Sequence, residues 1–335
     1  MSGVRAGART GPATEIAATR ARAALVRRLV ADGALRDPVW RAAFAEVPRH
    51  LFVPSYYVAT PRGYERRWGE DPDPARWERW LEGVYADEPL LTRLRDGEQI
   101  VTSSQPSLMT RMLEALEARD GQKVLEIGAG TGYNAALLCH RLGERRVTTV
   151  DLDPAITESA GSHLAAAGYR PAVVTGDGVL GVPSRAPYDR IVATCAVPSV
   201  PPAWLAQCRP GGFVLAPLST GVLGLRVGDA GHAEGRFLRT PAYFMPLRGG
   251  DGGGQGATPP PPAGLRGRQA DGEALRFLLT LTAGRLDPSE ATELWLREGR
   301  PGRARFGVTV SGAEQWAWLD DPGGLYAWPL GAGRG

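Results

Sequence analysis

Between Lys123 and Tyr133 the run KVLEIGAGTGY sets acidic Glu126 ahead of glycines at alternate positions, Gly128, Gly130 and Gly132. Val124, Leu125 and Ile127 read as a buried strand, and NAALLCHRL after Tyr133 reads as the helix that returns from it. Gly128 and Gly130 supply the positive φ that a tight strand-to-helix turn needs, and Gly132 lets the backbone approach a ligand with no Cβ in the way. A dinucleotide fingerprint places its third glycine three residues after the second, to seat a pyrophosphate on the helix N-terminus. That position here is Tyr133. A GxGxG turn preceded by a carboxylate suits a cationic ligand better than a pyrophosphate, and the sulfonium of S-adenosylmethionine is one. Two further carboxylates follow in order. Asp151, nineteen residues past Gly132, stands where a carboxylate accepts both ribose hydroxyls of a nucleoside, and Asp177 in the GDG turn is placed to reach the adenine. Asp153 reads instead as the N-cap of a helix opening at Pro154.

These residues need a scaffold, and the periodicity predicts one. RRVTTVDLDP is a second strand ending in Asp151, PAVVTG a third with Asp177 after it, YDRIVAT a fourth and GGFVLAPL a fifth, with helices between. Such alternation predicts an α/β fold, a doubly wound, mostly parallel Rossmann-like sheet with ligands at the carboxyl ends of its strands. Residues 222–248 read as an antiparallel hairpin at the sheet edge. Upstream, Thr14 to Asp32 forms an amphipathic helix with Ile16, Ala17, Ala21, Ala24, Leu25 and Leu29 on one face, and Asp37-Pro38 opens a second helix. Residues 55–84 carry Trp68, Trp77 and Trp80 among charges and prolines, material equally suited to a peptide-binding face and to packing on the domain. The stretch from Val84 to Ser104 reads as loop and turn, and a helix runs from Pro106 to about Arg119. Beyond a Gly/Pro-rich stretch lie LRFLLTLT, RFGVTV, QWAWLDDP and LYAWPL, strand-like pieces with a helix near Glu290 to Arg297, too small for a core of their own. The expected organisation is therefore a disordered N-terminus (1–13), an N-terminal helical and substrate-side region (14–103) with an insertion (55–84), a catalytic domain (104–248), a flexible linker (249–272) and a small β-rich C-terminal appendage (273–335).

Composition narrows the class. The chain has 335 residues, 43% of them hydrophobic, enough for one good core and a smaller addition. The net charge of +3 comes from basic residues that are almost all arginine, Lys123 being the exception. Arg20, Arg27 and Arg28 fall on a solvated helix face with no interleaved aromatics, which argues against a nucleic-acid partner. Cys139, Cys195 and Cys208 have no metal-ligand spacing and read as reduced thiols of a cytoplasmic protein. No apolar run is long enough for a membrane span.

Several further blocks carry a family resemblance. VPRHLFVP, VYADEPL, QIVTSSQP, VLEIGAGTGYNAALL, GDGVLG, PYDRIVATCAVPSVP and GGFVLAPL occur in the order and spacing of protein-L-isoaspartate O-methyltransferases, which residues 20–248 resemble. The resemblance implies the fold of S-adenosylmethionine-dependent methyltransferases and transfer of a methyl group to an aspartyl or isoaspartyl carboxylate of a peptide or protein. By it, Ser104 falls at the active-site hydroxyl, Ser103 being the alternative if the register slips by one. Glu126, Gly128, Gly130, Gly132, Asp151, Asp177 and Gly178 correspond to the cofactor pocket. Tyr85, Asp87, Ser103, Val197 and Pro198 fall on the substrate side, within VYADEPL, QIVTSSQP and the segment Ala196 to Val200. No metal is implied.

The insertion and the C-terminal extension depart from the family pattern. Between them they carry Trp68, Trp77, Trp80, Trp316, Trp318 and Trp328, and such extra aromatic surface suits one dedicated partner better than many damaged chains. The arrangement resembles the family's offshoots that methylate an aspartate of ribosomally made peptides such as lanthipeptides and graspetides, and implies a peptide-modifying enzyme encoded nearby. General repair of isoaspartyl proteins is the alternative. A DNA or RNA amino-methyltransferase commonly carries an Asn/Asp-Pro-Pro-aromatic motif after strand four, where this chain has Cys195-Ala-Val-Pro. A cofactor-binding module without catalysis is opposed by the intact glycine turn and both carboxylates.

Overall fold

The computed structural model describes residues 12–95, 98–229, 231–249 and 269–331. In chain order they form α1 (Pro12–Ala31), α2 (Pro38–Glu46), β1 (Ser55–Thr60), β2 (Gly63–Trp68), α3 (Pro74–Val84), β3 (Leu90–Arg95), β4 (Glu98–Ser103), α4 (Pro106–Ala115) and β5 (Val124–Ile127). There follow α5 (Tyr133–Leu142), β6 (Val147–Asp151), α6 (Pro154–Ala166), β7 (Ala172–Thr175), β8 (Tyr188–Ala193), α7 (Pro202–Gln207), β9 (Cys208–Leu218), β10 (Gly221–Val227) and β11 (His232–Pro241). The chain ends in α8 (Gln269–Leu281), α9 (Pro288–Arg297), β12 (Phe306–Ser311), β13 (Glu314–Leu319) and β14 (Ala327–Pro329). Among the described residues no helix is long and apolar enough to cross a membrane. The chain divides into two compact units, one of Met1–Gly121 with Ala129–Thr175, the other of Gln122–Gly128 with Gly176–Gly335.

In the first unit the expected loop before Ser104 is a hairpin. β3 and β4 pair antiparallel, Leu90 opposite Ser103, and belong to a sheet ordered β2-β1-β3-β4. The segment read as an insertion supplies β1, β2 and α3. In its α3 the Asp73 carboxylate accepts from the amides of Ala75 and Arg76, and Pro74 takes the first helical position. Asp37 caps α2 and Asp153 caps α6 in the same way. The buried face of α1 is rotated from the expected one. Ala18, Leu25 and Leu29 are buried, whereas Ile16 is 53% exposed and Ala24 is exposed too. The core gathers Trp40, Phe44, Phe52 and Met112, with Phe44 and Phe52 against the Tyr133 ring at 6.2 and 5.6 Å between centroids. A parallel pair, β6 and β7, carries Asp151 at the end of β6.

The second unit is built on a sheet ordered β14-β13-β12-β11-β10-β9-β8-β5. β5, β8 and β9 run parallel, and all four residues of β5 are buried, as a strand covered on both faces requires. From β9 onward the pairing is antiparallel. The expected hairpin is β10–β11, but it is not an edge, because β12 pairs along β11. LRFLLTLT is helical, within α8, and not a strand. Phe277 of α8 stands edge-on to Phe237 of β11 at 4.8 Å and to Phe306 of β12 at 5.5 Å. The C-terminal residues thus share the core of the sheet they extend. Of the stretches read as disordered and as a linker, residues 1–11 and 250–268 lie outside the described residues; α1 already begins at Pro12, and α8 at Gln269.

Candidate active site

All three glycines of the GxGxG turn have positive φ: +95° at Gly128, +52° at Gly130 and +86° at Gly132. Their reasons differ. A Cβ on Gly128 would lie 2.8 Å from Thr194 Oγ1, whose hydroxyl donates to the Gly128 carbonyl at 2.8 Å. A Cβ on Gly132 would lie 3.1 Å from the Ala160 carbonyl and 3.3 Å from Leu164. Close approach at Gly132 is therefore to helix α6. On Gly130 such a Cβ would make only ordinary van der Waals contact, its nearest atom being the Thr102 carbonyl oxygen at 3.8 Å. The chain passes from the second unit to the first within this turn, after Gly128.

On the first unit the Gly130 amide donates to Asp151 Oδ2 at 3.3 Å, which ties the half-buried carboxylate at the end of β6 to the turn. On the second unit Glu126 is fully buried in β5. Asp177 caps the short turn Gly178–Leu180 by accepting from the Val179 amide at 2.9 Å, and a Cβ placed on Gly249, at φ +114°, would run into the Asp177 carboxylate. Gly178 is buried, 2.8 Å being all that separates a Cβ there from Ile127, and its carbonyl accepts from Trp204 Nε1. Its smallness serves packing.

VYADEPL and the serine pair of QIVTSSQP converge on a residue that sequence reasoning did not single out. Arg49, in VPRHLFVP, is completely buried. Its guanidinium donates to the carbonyls of Val84 (2.8 Å), Ala86 (3.1 Å), Glu88 (3.3 Å) and Ser104 (3.2 Å) and to the Ser103 hydroxyl (3.3 Å). Burial lowers its pKa, countered by Tyr133, Tyr85 and Asp87; the Tyr133 ring lies 5.9 Å from Cζ. One planar fork of donors thus fixes both flanks of the β3–β4 hairpin. The signal was available: a cation inside an apolar octapeptide has to be burying its charge for a purpose.

Arg49 also sorts the two serines. Ser103 is 4% exposed and its hydroxyl is engaged by Arg49, whereas Ser104 is half-buried and offers Arg49 only its carbonyl. Asp87 caps α4: Oδ1 accepts from the Ser107 amide at 2.7 Å, and Gln105 Nε2 bonds its carbonyl at 3.1 Å. Tyr85 is buried, its hydroxyl 2.8 Å from His50 Nδ1, and burial pushes its pKa up to about 12. Burial also lowers the pKa of His50, with nearby Glu15 opposing and Arg22 adding to the fall. Tyr85, Asp87, Ser103 and Ser104 are therefore brought together, Asp87 with its carboxylate on the backbone of α4. On the second unit Val197 is core, 3% exposed, with its amide on the Pro217 carbonyl at 3.0 Å. Pro198 is exposed and Ser199 half-buried.

Three of the six tryptophans read as possible peptide anchors serve the interior. Trp80, Trp318 and Trp328 are buried, Trp80 donating from Nε1 to the Val53 carbonyl and Trp318 to Thr309 Oγ1. Trp68, Trp77 and Trp316 remain partly exposed.

Known proteins with this combination are consistent in kind. Residues 77–227 match the sequence model of the family described as protein-L-isoaspartate(D-aspartate) O-methyltransferase (PCMT). A protein-L-isoaspartate O-methyltransferase of Hyperthermus butylicus is 34% identical over 244 residues, 68% of this chain and 89% of its own length. One from Ignicoccus hospitalis is 36% identical over 196 residues, 58% of this chain and 80% of its own. Among solved structures, a protein-L-isoaspartate O-methyltransferase superposes with a TM-score of 0.56 at 31% identity, covering 68% of this chain and 66% of that one. A Plasmodium falciparum protein described as a putative member, in complex with S-adenosyl-L-homocysteine, shares the fold at a TM-score of 0.52 and 13% identity, over 67% of this chain and 97% of that one. With the ordered blocks from VPRHLFVP to GGFVLAPL, the GxGxG turn and its following carboxylates all present in one methyltransferase fold, the chain belongs to the protein-L-isoaspartate O-methyltransferase family and is an S-adenosylmethionine-dependent carboxyl methyltransferase.

Proposed function

We propose that this enzyme methylates isoaspartyl carboxylates in peptides and proteins, with Ser104 as the orienting hydroxyl. The observation that carries the assignment is the different placement of the two serines at Arg49: the Ser103 hydroxyl is buried against the guanidinium, whereas Ser104 gives it only a carbonyl and keeps a half-buried side chain. An acceptor carboxylate is ionised at neutral pH and needs no general base. The Ser104 hydroxyl donates to one of its oxygens and leaves the other to attack, so that this side chain supplies orientation. Bound S-adenosylmethionine supplies an activated methyl group on a sulfonium. We assign its recognition to Glu126, Gly128, Gly130, Asp151 and Asp177, with Gly132 and Gly178 shaping the turns. The half-buried Asp151 carboxylate tied to the Gly130 amide suits a nucleoside diol. In the methyl ester the methoxy group is a good leaving group: the following backbone nitrogen displaces it as methanol, the succinimide forms, and hydrolysis gives aspartate or isoaspartate. The three buried free thiols agree with action in the cytoplasm.

A second reading is a dedicated ribosomal precursor peptide of the lanthipeptide or graspetide kind, esterified at an aspartate and delivered by a peptide-modifying enzyme. Partly exposed Trp68 and Trp77 on the β2–α3 segment favour it; the burial of Trp80, Trp318 and Trp328 weakens it. One experiment separates the two. Full-length protein is incubated with radiolabelled S-adenosylmethionine and either a short isoaspartyl peptide or its aspartyl isomer. Turnover of the isoaspartyl form alone is expected, and Ser104→Ala should lower kcat by roughly tenfold to a thousandfold, the loss of one orienting donor. Methylation confined to aspartyl residues of one precursor would establish the second reading, and damage by Ser103→Ala alone would move the role to Ser103.

A further inference from the structure

The segment after β8, Ala196 to Val200, is held by main-chain hydrogen bonds at its beginning and by a side chain at its end. The Ala196 amide donates to the Met245 carbonyl at 2.8 Å, the Leu247 amide returns to the Ala196 carbonyl at 2.8 Å, and the Val197 amide reaches Pro217. At Val200 the partner is a side chain. Gln315 of β13 presents its amide edge-on: the Val200 amide donates to Gln315 Oε1 at 2.9 Å, and Gln315 Nε2 donates to the Val200 carbonyl at 2.7 Å. Both bonds are buried, and the partners are 115 residues apart. A carboxamide is the side chain that offers a donor and an acceptor in the spacing of a peptide group, so Gln315 completes one rung of a ladder that the backbone leaves open. Between the anchored ends stand exposed Pro198 and half-buried Ser199.

We infer that Gln315 is a positioning residue for methyl transfer: the C-terminal β13 sets, through Gln315, the conformation of the Pro198–Ser199 apex that meets the acceptor peptide. This rests on the proposed methyl transfer to a peptide carboxylate and on the substrate-side placement of Ala196–Val200 that the family resemblance implies. No other side chain of ordinary size substitutes. Glutamate keeps the acceptor but turns a second oxygen toward the Val200 carbonyl, leucine leaves two buried main-chain groups without partners, and asparagine is a methylene too short. The C-terminal extension then acts on acceptor selection without touching the acceptor, and the apex is as rigid as the sheet behind it.

The test uses full-length protein with Gln315→Glu, Gln315→Leu and Ser199→Trp, an isoaspartyl peptide as acceptor, and S-adenosylhomocysteine binding by calorimetry. The expected result is a KM for peptide raised about tenfold or more in both Gln315 variants, as for loss of a buried hydrogen-bonded pair, with cofactor affinity within about twofold of the parent and kcat less affected. Circular dichroism on isosteric Gln315→Glu confirms the fold. A raised KM in Ser199→Trp with unchanged KM in both Gln315 variants would overturn the inference while leaving the substrate-side assignment intact. Unchanged KM in all three would overturn that assignment and the inference with it. Equal losses of peptide and cofactor binding in both Gln315 variants would show a merely structural amide.

Discussion

At the scale of single residues the acceptor-side segment depends on a few buried polar groups with unequal tolerance of pH. His50 is held with a lowered pKa by burial, and its Nδ1 lies 2.8 Å from the Tyr85 hydroxyl. The unfolded chain therefore binds more protons than the folded one between the lowered native value and the ordinary one near 6.5. Stability should fall as pH drops through 6.5 and stop falling, on this account, below the native value. Denaturant unfolding at steps from pH 7.5 to 5 should show that decline, and His50→Gln should flatten it. An equal slope in the variant would place the titration elsewhere. Arg49 has the opposite character. It stays charged, and its fork of bonds to Val84, Ala86, Glu88, Ser103 and Ser104 makes it the residue on which the hairpin and the serine pair depend together.

At the scale of elements the GxGxG turn combines backbone geometry with packing, and the two can be measured separately. Gly130→Ala and Gly132→Ala both force a side chain into positive φ, at about 1 kcal/mol each. Only Gly132→Ala also drives a Cβ to 3.1 Å from the Ala160 carbonyl and 3.3 Å from Leu164. Gly132→Ala should therefore cost a further 1–3 kcal/mol or so as α6 is displaced. Gly130→Ala should act mainly on cofactor affinity, since its Cβ would meet nothing nearer than the Thr102 carbonyl oxygen at 3.8 Å. Comparing chemical denaturation with S-adenosylhomocysteine titration for the two variants checks this, and equal destabilisation would mean that α6 yields at no cost.

At the scale of the whole molecule the C-terminal residues are structural. Phe277 and Phe306 share a cluster with Phe237, and β12 covers the edge that β11 would otherwise expose. A chain ending at residue 249 should aggregate or melt well below the full protein, because it uncovers a long strand edge and an apolar face. Phe277→Ala in the intact chain should cost about 3–5 kcal/mol. A truncated chain that remained monomeric with an unchanged melting temperature would show the extension to be dispensable for folding.

Much of this was already written in the sequence. The glycine turn, Asp151 and Asp177 after their strands, and the caps at Asp37 and Asp153 are local, because each rests on backbone angles or on hydrogen bonds within a few residues. The family, too, was legible from its ordered blocks. What only the tertiary structure decided are long-range matters: that Gly132 makes room for α6, that Trp80, Trp318 and Trp328 face inward, that β12 to β14 continue the sheet past its expected edge, and that Arg49 and Gln315 spend buried side chains on distant backbone. A tryptophan or an arginine reads the same in sequence whether it covers a surface or fills a core. Which it does is set by the partners that folding brings to it, and those lie tens of residues away.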